Sequence, residues 1–276
     1  MAKTYREVLF WASSFLEAAG VDGQHILYVF LRRKKWSQTD WLLNWNKMMP
    51  EEEEVQLKED LEQLKNHYPP QYLLGFEEFY GRFFKVSEET LIPRPETEEL
   101  VALCLEKGTK EAAYVVDVGT GTGAISLTLK LERPNWHVAT VDLSAGALAV
   151  AKENADQLGA NVDFYLGDTL GPIEQPIDIL ISNPPYIGVE EWEAMDESVR
   201  TFEPKMALFA ENQGLAIYEQ LAKEAQQKLS STGKIFLEIG YLQGKAVQSL
   251  FQRYFPGKKV SIHQDLSGQD RMIMVE

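Results

Sequence analysis

The chain has 276 residues, 45% of them hydrophobic and 25% charged, enough for one large globular domain plus a small one. Its formal net charge of −15 argues against duplex nucleic acid as the main partner, because phosphate binding needs a basic footprint. A single cysteine, Cys104, excludes an intrachain disulfide and a cysteine-based metal cage, and no apolar run reaches the roughly 18 residues of a membrane span.

The first twenty residues do not form a secretion signal: Glu7 and Glu17 interrupt them and their apolar residues are periodic, so a cytoplasmic protein is expected. Tyr5, Val8, Leu9, Ala12, Phe15, Leu16 and Ala19 fall at helical spacing, and Gly20 ends that helix. "HILYVFLRRKK" and "TDWLLNWNKM" predict two short helices. The basic run 32–35 reads as a solvated helix end, and Trp41 and Trp45 at i, i+4 as bundle core. Pro50 opens a further helix, with four glutamates that complement the helix dipole. Residues 1–68 are therefore expected to form a helical bundle ending at Pro69-Pro70. "QYLLGFEEFYGRFFKVS" predicts a β-hairpin linker within 69–90, with Phe79, Phe83 and Phe84 as hairpin core.

From Ala113 strands and helices alternate: "YVVDV", "AISLTLKLER", "WHVATVDLS", "AGALAVAKENADQLG", "VDFYLGD", "IDILIS", "GLAIYEQLAKEAQQKLS", "GKIFLEIG" and "GKAVQSLFQRYF". "KVSIHQDLSGQDRMIMVE" closes as a strand pair. The pattern predicts an α/β, doubly wound Rossmann-like sheet over 91–276, mostly parallel with the last strand antiparallel.

Gly119, Gly121 and Gly123 follow a strand and open a helix, where glycine lets backbone approach a ligand. Gly119, Gly121 and Ala124 also satisfy the dinucleotide form G-x-G-x-x-A. Asp142 ends the second strand, where an acid reads ribose hydroxyls; the alternative is a helix cap, a role open to Ser144. Asp168 and Thr169 end the third strand and either reach an adenine or form a turn. The four histidines form no ligand pair, and no metal is expected.

"NPPY", Asn183 to Tyr186, ends the strand expected beside the first. Its prolines stiffen the backbone and end the ladder. The Asn183 amide oxygen and the Pro184 carbonyl are two acceptors suited to a planar –NH2 group, over which Tyr186 stacks or which it encloses.

"NPPY" with "DVGTGTG" resembles the S-adenosylmethionine-dependent amino methyltransferases. "FYGRFFKVSEETLIPRPETEELV", "EPKMALF", "LEIGYLQG" and "DLSGQDRMIMVE" resemble, more narrowly, the PrmC/HemK family of protein-(glutamine-N5) methyltransferases, from the helical region to the last strand. The resemblance implies a class I methyltransferase sheet, S-adenosylmethionine as cofactor with S-adenosylhomocysteine as product, and class 1 peptide chain release factors as partners through their Gly-Gly-Gln motif. It implies no membrane and no direct nucleic-acid partner. By the same resemblance Gly119, Thr120, Gly121, Thr122, Gly123, Asp142, Asp168, Thr169 and Asn183 would hold the cofactor. Asn183, Pro184, Pro185 and Tyr186 would hold the glutamine amide, with Asn183, Pro184 and Tyr186 catalytic and the bundle docking the substrate. Arg94 and Glu96 would lie near the site or brace its loop. One departure is visible: where the family usually shows Gly-Gly, this chain has Glu211-Asn212-Gln213 before Gly214. The competing readings are a nucleic-acid amino methyltransferase, an NAD-dependent oxidoreductase and a non-catalytic cofactor-binding adaptor.

Overall fold

The computed structural model describes residues 3–276. Helix α1 (Tyr5–Ala18) starts at a capping box in which Thr4 and Glu7 satisfy each other's backbone N–H groups. Helices α2 (Gln24–Lys34), α3 (Gln38–Asn44) and α4 (Glu51–Lys65) follow. Leu16, Ile26, Val29, Leu57 and Leu64 form the bundle core. Trp41 borders that core and meets Trp45 edge-on at 6.4 Å, both half-buried. Arg33 and Lys34 of the basic run pair with Asp60 and Glu53 at 2.8 Å each.

Gln71–Leu74, expected in the hairpin, instead belongs to a short helix α5 (Pro70–Leu74). Pro70 presets its first turn and Gly75, at φ 79°, closes it. The hairpin itself is β1 (Phe76–Phe79) and β2 (Arg82–Lys85), joined by Tyr80 and Gly81, both at positive φ as a two-residue hairpin turn requires. Phe79 and Phe84 are buried, but Phe83 is 47% exposed: strand alternation turns it outward, which corrects its expected place in the core.

The chain divides after Phe76 into two compact units, with Asp196–Phe202 belonging to the first. In that unit Phe202 lies edge-on to Tyr68 at 5.1 Å.

The second unit continues with α6 (Pro95–Lys107), β3 (Tyr114–Val118), α7 (Ala124–Glu132), β4 (His137–Asp142), α8 (Ala145–Leu158), β5 (Asp163–Leu166) and β6 (Ile177–Ser182). Short turns fill 189–214, a stretch without clear periodicity; among them are α9 (Glu197–Phe202), which packs in the first unit, and α10 (Glu211–Gly214). Then come α11 (Ala216–Lys228), β7 (Leu229–Glu238), α12 (Gly244–Tyr254), β8 (Val260–Gln264) and β9 (Asp270–Val275).

The seven strands order as β5-β4-β3-β6-β7-β9-β8. All pairs from β5 to β7 are parallel, and β9 lies antiparallel between β7 and β8. Alternation splits each strand between two cores. Val116, Leu180, Ile235 and Ile273 pack with Leu221 of α11 and Phe251 of α12. Val115, Ile179, Phe236 and Met272 pack with Leu100 of α6 and Leu127 of α7. Helices on both faces make the sheet doubly wound, as expected. Strand order reverses at β3, the position where such sheets open a crevice at their C-terminal ends.

Candidate active site

Register places the site. Val118 aligns with Val141 and Ser182, and Asp142 with Leu166, so the chain leaves β3, β4, β5 and β6 along one edge. The Ser182 hydroxyl donates to the Val118 carbonyl at 2.6 Å and ties the two central exits together. One cavity opens there, lined by Gly119, Gly121, Asp142, Asp168, Thr169, Asn183 and Pro185 from these exits. Glu89, Thr90 and Leu91 form another wall, Pro204, Met206 and Ala207 a third, and Ile217 of α11 also contributes.

In the glycine loop, φ is 81° at Gly119, 54° at Gly121 and 81° at Gly123. A Cβ on Gly121 would meet no protein atom within 4 Å and would take up cavity space, whereas one on Gly123 would strike Leu127 at 2.9 Å. Gly119 and Gly121 therefore face the cavity; Thr120, Thr122 and Gly123 are buried beneath it. Thr120 bonds the Thr140 hydroxyl, and the Thr122 carbonyl accepts from Asn154 at 2.9 Å. Asn154 also binds both backbone groups of Lys85, fixing the hairpin to the loop. The N–H groups of Gly119, Thr120, Gly121 and Gly123 are already donated, to Val141, Val141, Asp142 and Thr120.

Asp142 serves the loop and the cavity together. Its oxygens accept from Gly121 N at 2.9 Å and Ser144 N at 2.8 Å, and Ser144 itself caps α8. Burial pushes its carboxyl above the usual value, opposed by those N–H donors. Asp168 is exposed and accepts from Gln220 at 3.2 Å. The Thr169 hydroxyl donates to Glu224 at 2.7 Å and accepts from Gln220 at 2.8 Å, so its polar end turns to α11.

The Asn183 amide nitrogen donates to the Thr97 hydroxyl at 3.1 Å, and among the described residues none donates to its Oδ1. Thr97 in turn donates to the Glu238 carboxylate at 2.6 Å. Pro184 is buried and Pro185 lines the cavity. The Tyr186 ring joins the sheet core, with its hydroxyl 3.5 Å from Glu238. Gln243 donates to the Tyr186 carbonyl at 2.8 Å and the Gln213 carbonyl at 3.2 Å. Asn212 and Gln213 stand at φ 55° and 57° before Gly214 at 79°. Two glycines would suit that turn, so the departure from Gly-Gly places side chains at left-handed positions. A Cβ on Gly214 would lie 1.9 Å from the Tyr186 carbonyl, which demands glycine there.

Arg94 does not line the cavity. It pairs with Glu203 at 2.5 Å, and Glu203 also accepts from Ile92 N at 3.2 Å, so Arg94 braces the 87–94 loop. Sequence reasoning assigned no role to Thr97, Glu238, Gln243, Glu203 or Asp117, although all five lie in stretches that carry the resemblance. Asp117, beneath the loop, is fully buried; Thr140 donates to it at 3.3 Å and Ser126 of α7 also faces it. Burial raises its carboxyl to about 7. The described residues contain no metal-binding cluster and no helix long and apolar enough to cross a membrane.

A doubly wound sheet, a glycine turn after its first strand, an acid after the second and an Asn-Pro-Pro-Tyr exit after the fourth define a class I methyltransferase. Solved structures agree on the fold. A methyltransferase from Pyrococcus furiosus matches with TM-score 0.54 at 15% identity, over 71% of this chain and 89% of that one. A Thermus thermophilus 16S rRNA N2 G1207 methyltransferase, in complex with AdoMet and guanosine, matches with TM-score 0.52 at 14% identity, over 73% and 49%. Residues 7–75 match the PrmC N-terminal domain and 97–200 the methyltransferase small domain. The release factor glutamine methyltransferase of Enterococcus faecalis is 59% identical over the whole of both chains. Those of Bacillus cereus and Bacillus subtilis are 43% and 40% identical, over 98% of each chain for the first and 98% and 97% for the second. The chain belongs to the release factor glutamine methyltransferase family.

Proposed function

We propose that this enzyme transfers the methyl group of S-adenosylmethionine to the side-chain nitrogen, N5, of the glutamine in the Gly-Gly-Gln motif of class 1 release factors, in the cytoplasm. One observation carries the cofactor class: Glu89, Asp142 and Asp168 line the cavity and no Lys, Arg or His does among the described residues. Such a lining attracts a sulfonium and an ammonium and repels a pyrophosphate. The N–H groups of Gly119, Thr120, Gly121 and Gly123 are already donated internally, so these four are not on offer to a dinucleotide's phosphates. An oxidoreductase also leaves the Asn-Pro-Pro-Tyr exit without a task.

In this reading Asp142 accepts from ribose hydroxyls and Asp168 from the adenine amino group, and Leu143, Met206 and Ile217, which line the same cavity, supply apolar contact. When bound, the cofactor supplies an electrophilic methyl on sulfur. Asn183 Oδ1 and the Pro184 carbonyl accept the two N–H protons of the glutamine amide and hold its nitrogen facing that methyl. Both acceptors favour the positive charge that develops on nitrogen, so catalysis rests on positioning and fixed dipoles. The excess proton leaves to water. The bundle is the proposed docking surface for the rest of the release factor, supported by exposed Phe10 and Leu43, 75% and 73% accessible.

The test is mass spectrometry of a release factor incubated with enzyme and isotope-labelled S-adenosylmethionine. A labelled methyl on the Gly-Gly-Gln glutamine is expected. Labelling of DNA adenine, with none on that glutamine, overturns the assignment.

A further inference from the structure

We propose that Thr97 and Glu238 form a buried relay that fixes the Asn183 amide with its oxygen toward the reacting nitrogen, making both of them positioning residues for methyl transfer. The inference rests on the functional reading above and adds to it what orients the acceptor.

A threonine hydroxyl has one proton to give. Thr97 is 5% exposed and Glu238 1%, so water does not compete for their bonds. An ionised Glu238 accepts only, and the 2.6 Å bond therefore spends the Thr97 proton on it. The hydroxyl oxygen can then only accept, and the group that meets it at 3.1 Å must be the Asn183 –NH2 edge. Because the amide is planar, its oxygen is left on the opposite edge, where Asn183 lines the cavity. Reversing the relay reverses the amide. A Glu238 protonated on Oε2, the oxygen that meets Thr97, donates to it, Thr97 then donates to Asn183, and the –NH2 edge faces the substrate. Two donors then confront each other and the acceptor is lost.

Every packed element weighs on Glu238. Thr97 and Glu96 face it from α6, Tyr186 from the exit of β6, and Arg271 from β9. The Tyr218 hydroxyl of α11 donates to its backbone carbonyl at 2.7 Å. Arg271 is itself tied to Asp265 at 3.1 Å, which divides its charge between two acids. Burial raises the Glu238 carboxyl to about 7, with Thr97 and Arg271 opposing and Glu96 adding to the rise. The relay thus holds the productive polarity on the alkaline side of that titration.

The experiment compares wild type, Thr97→Val, Thr97→Ser and Glu238→Gln. It measures single-turnover transfer from S-adenosylmethionine to a purified release factor between pH 5.5 and 8.5, with cofactor affinity by calorimetry as the folding control. Thr97→Val should slow transfer about tenfold to a hundredfold at nearly unchanged cofactor affinity, the cost of a misplaced group. Thr97→Ser should restore most of the rate. Glu238→Gln should be slow and should lose one titration present on the acid side of the wild-type profile. If Thr97→Val does not fold, the serine and glutamine variants decide. The relay is refuted if Thr97→Val matches wild type, if Thr97→Ser is as slow as Thr97→Val, or if Glu238→Gln keeps the wild-type profile. No transfer by wild type to any release factor refutes the functional reading instead.

Discussion

In the N-terminal bundle the buried Asp60 carboxylate meets Arg33 through two hydrogen bonds of 2.8 Å, whereas in the methyltransferase unit Asp117 and Glu238 are buried with hydroxyl partners and, among the described residues, no cation at hydrogen-bond distance. A bidentate pair satisfies both charges and makes the carboxylate part of the scaffold that joins α2 to α4. A carboxylate held by hydroxyls keeps its desolvation penalty and stays close to protonation, as the rise of both groups to about 7 shows. The difference teaches where this chain spends buried charge. The bundle uses it to hold two helices together. The methyltransferase unit keeps it under strain, beneath the glycine loop and behind the Asn-Pro-Pro-Tyr turn, where a group near neutrality can orient hydrogen bonds.

Four measurements sharpen or break that contrast. The largest effect is expected for Asn183→Ala, at the end of the catalytic unit's polar chain: turnover should fall about a hundred- to a thousandfold, with cofactor affinity little changed. Transfer at the wild-type rate would remove Asn183 from the chemistry.

Next is Asp117→Asn, read by chemical denaturation at pH 5 and pH 8. The folded pKa of Asp117, about 7, lies above its ordinary 3.8, so the folded state binds the proton more tightly. Its contribution to stability is full below about pH 4 and is lost as pH rises through about 7. Asparagine has no charge to desolvate. Relative to wild type the variant should therefore gain stability with pH, by about 2–4 kcal/mol across that window at roughly 1.4 kcal/mol per unit. An unchanged difference between the two pH values would show that the buried charge carries no such strain.

A smaller effect is expected for Asp60→Ala in the bundle. Removing one member of a fully buried pair costs about 3–5 kcal/mol, but Arg33 is 36% exposed and water recovers part of it. A loss of about 1–3 kcal/mol in unfolding free energy is expected, with cofactor affinity unaltered by calorimetry. Weakened cofactor binding would break the distinction between structural and functional charge.

The smallest concerns Gln213→Gly. A non-glycine residue at φ 57° bears left-handed strain of about 1 kcal/mol, offset in part by glycine's greater freedom in the unfolded chain. Stability should rise by less than about 1 kcal/mol with turnover unchanged, as thermal melts and the transfer assay together would show. A destabilised variant would mean that the Gln213 side chain supports the turn behind Tyr186.

What could be read in advance was local. The glycine turn follows a strand because tight turns and close approach need that residue there; Ser144 caps α8 by its own hydroxyl; the two prolines stop β6 wherever it lies in the sheet. Alternating strand and helix periods determined a doubly wound sheet, and the rule that such sheets bind ligands at their strand C-terminal ends put Asn183 beside the loop. Only the tertiary structure decided the rest. Thr97 lies 86 residues from Asn183 and 141 from Glu238, and no periodicity joins positions so far apart. The same holds for Thr169 turning its hydroxyl to Glu224, for β9 lying between β7 and β8, and for Asp196–Phe202 packing with the first unit. Local propensity determines which element forms and where it stops. Which polar group meets which across the core depends on how the finished layers pack, because a buried donor must take whatever acceptor the fold brings within reach.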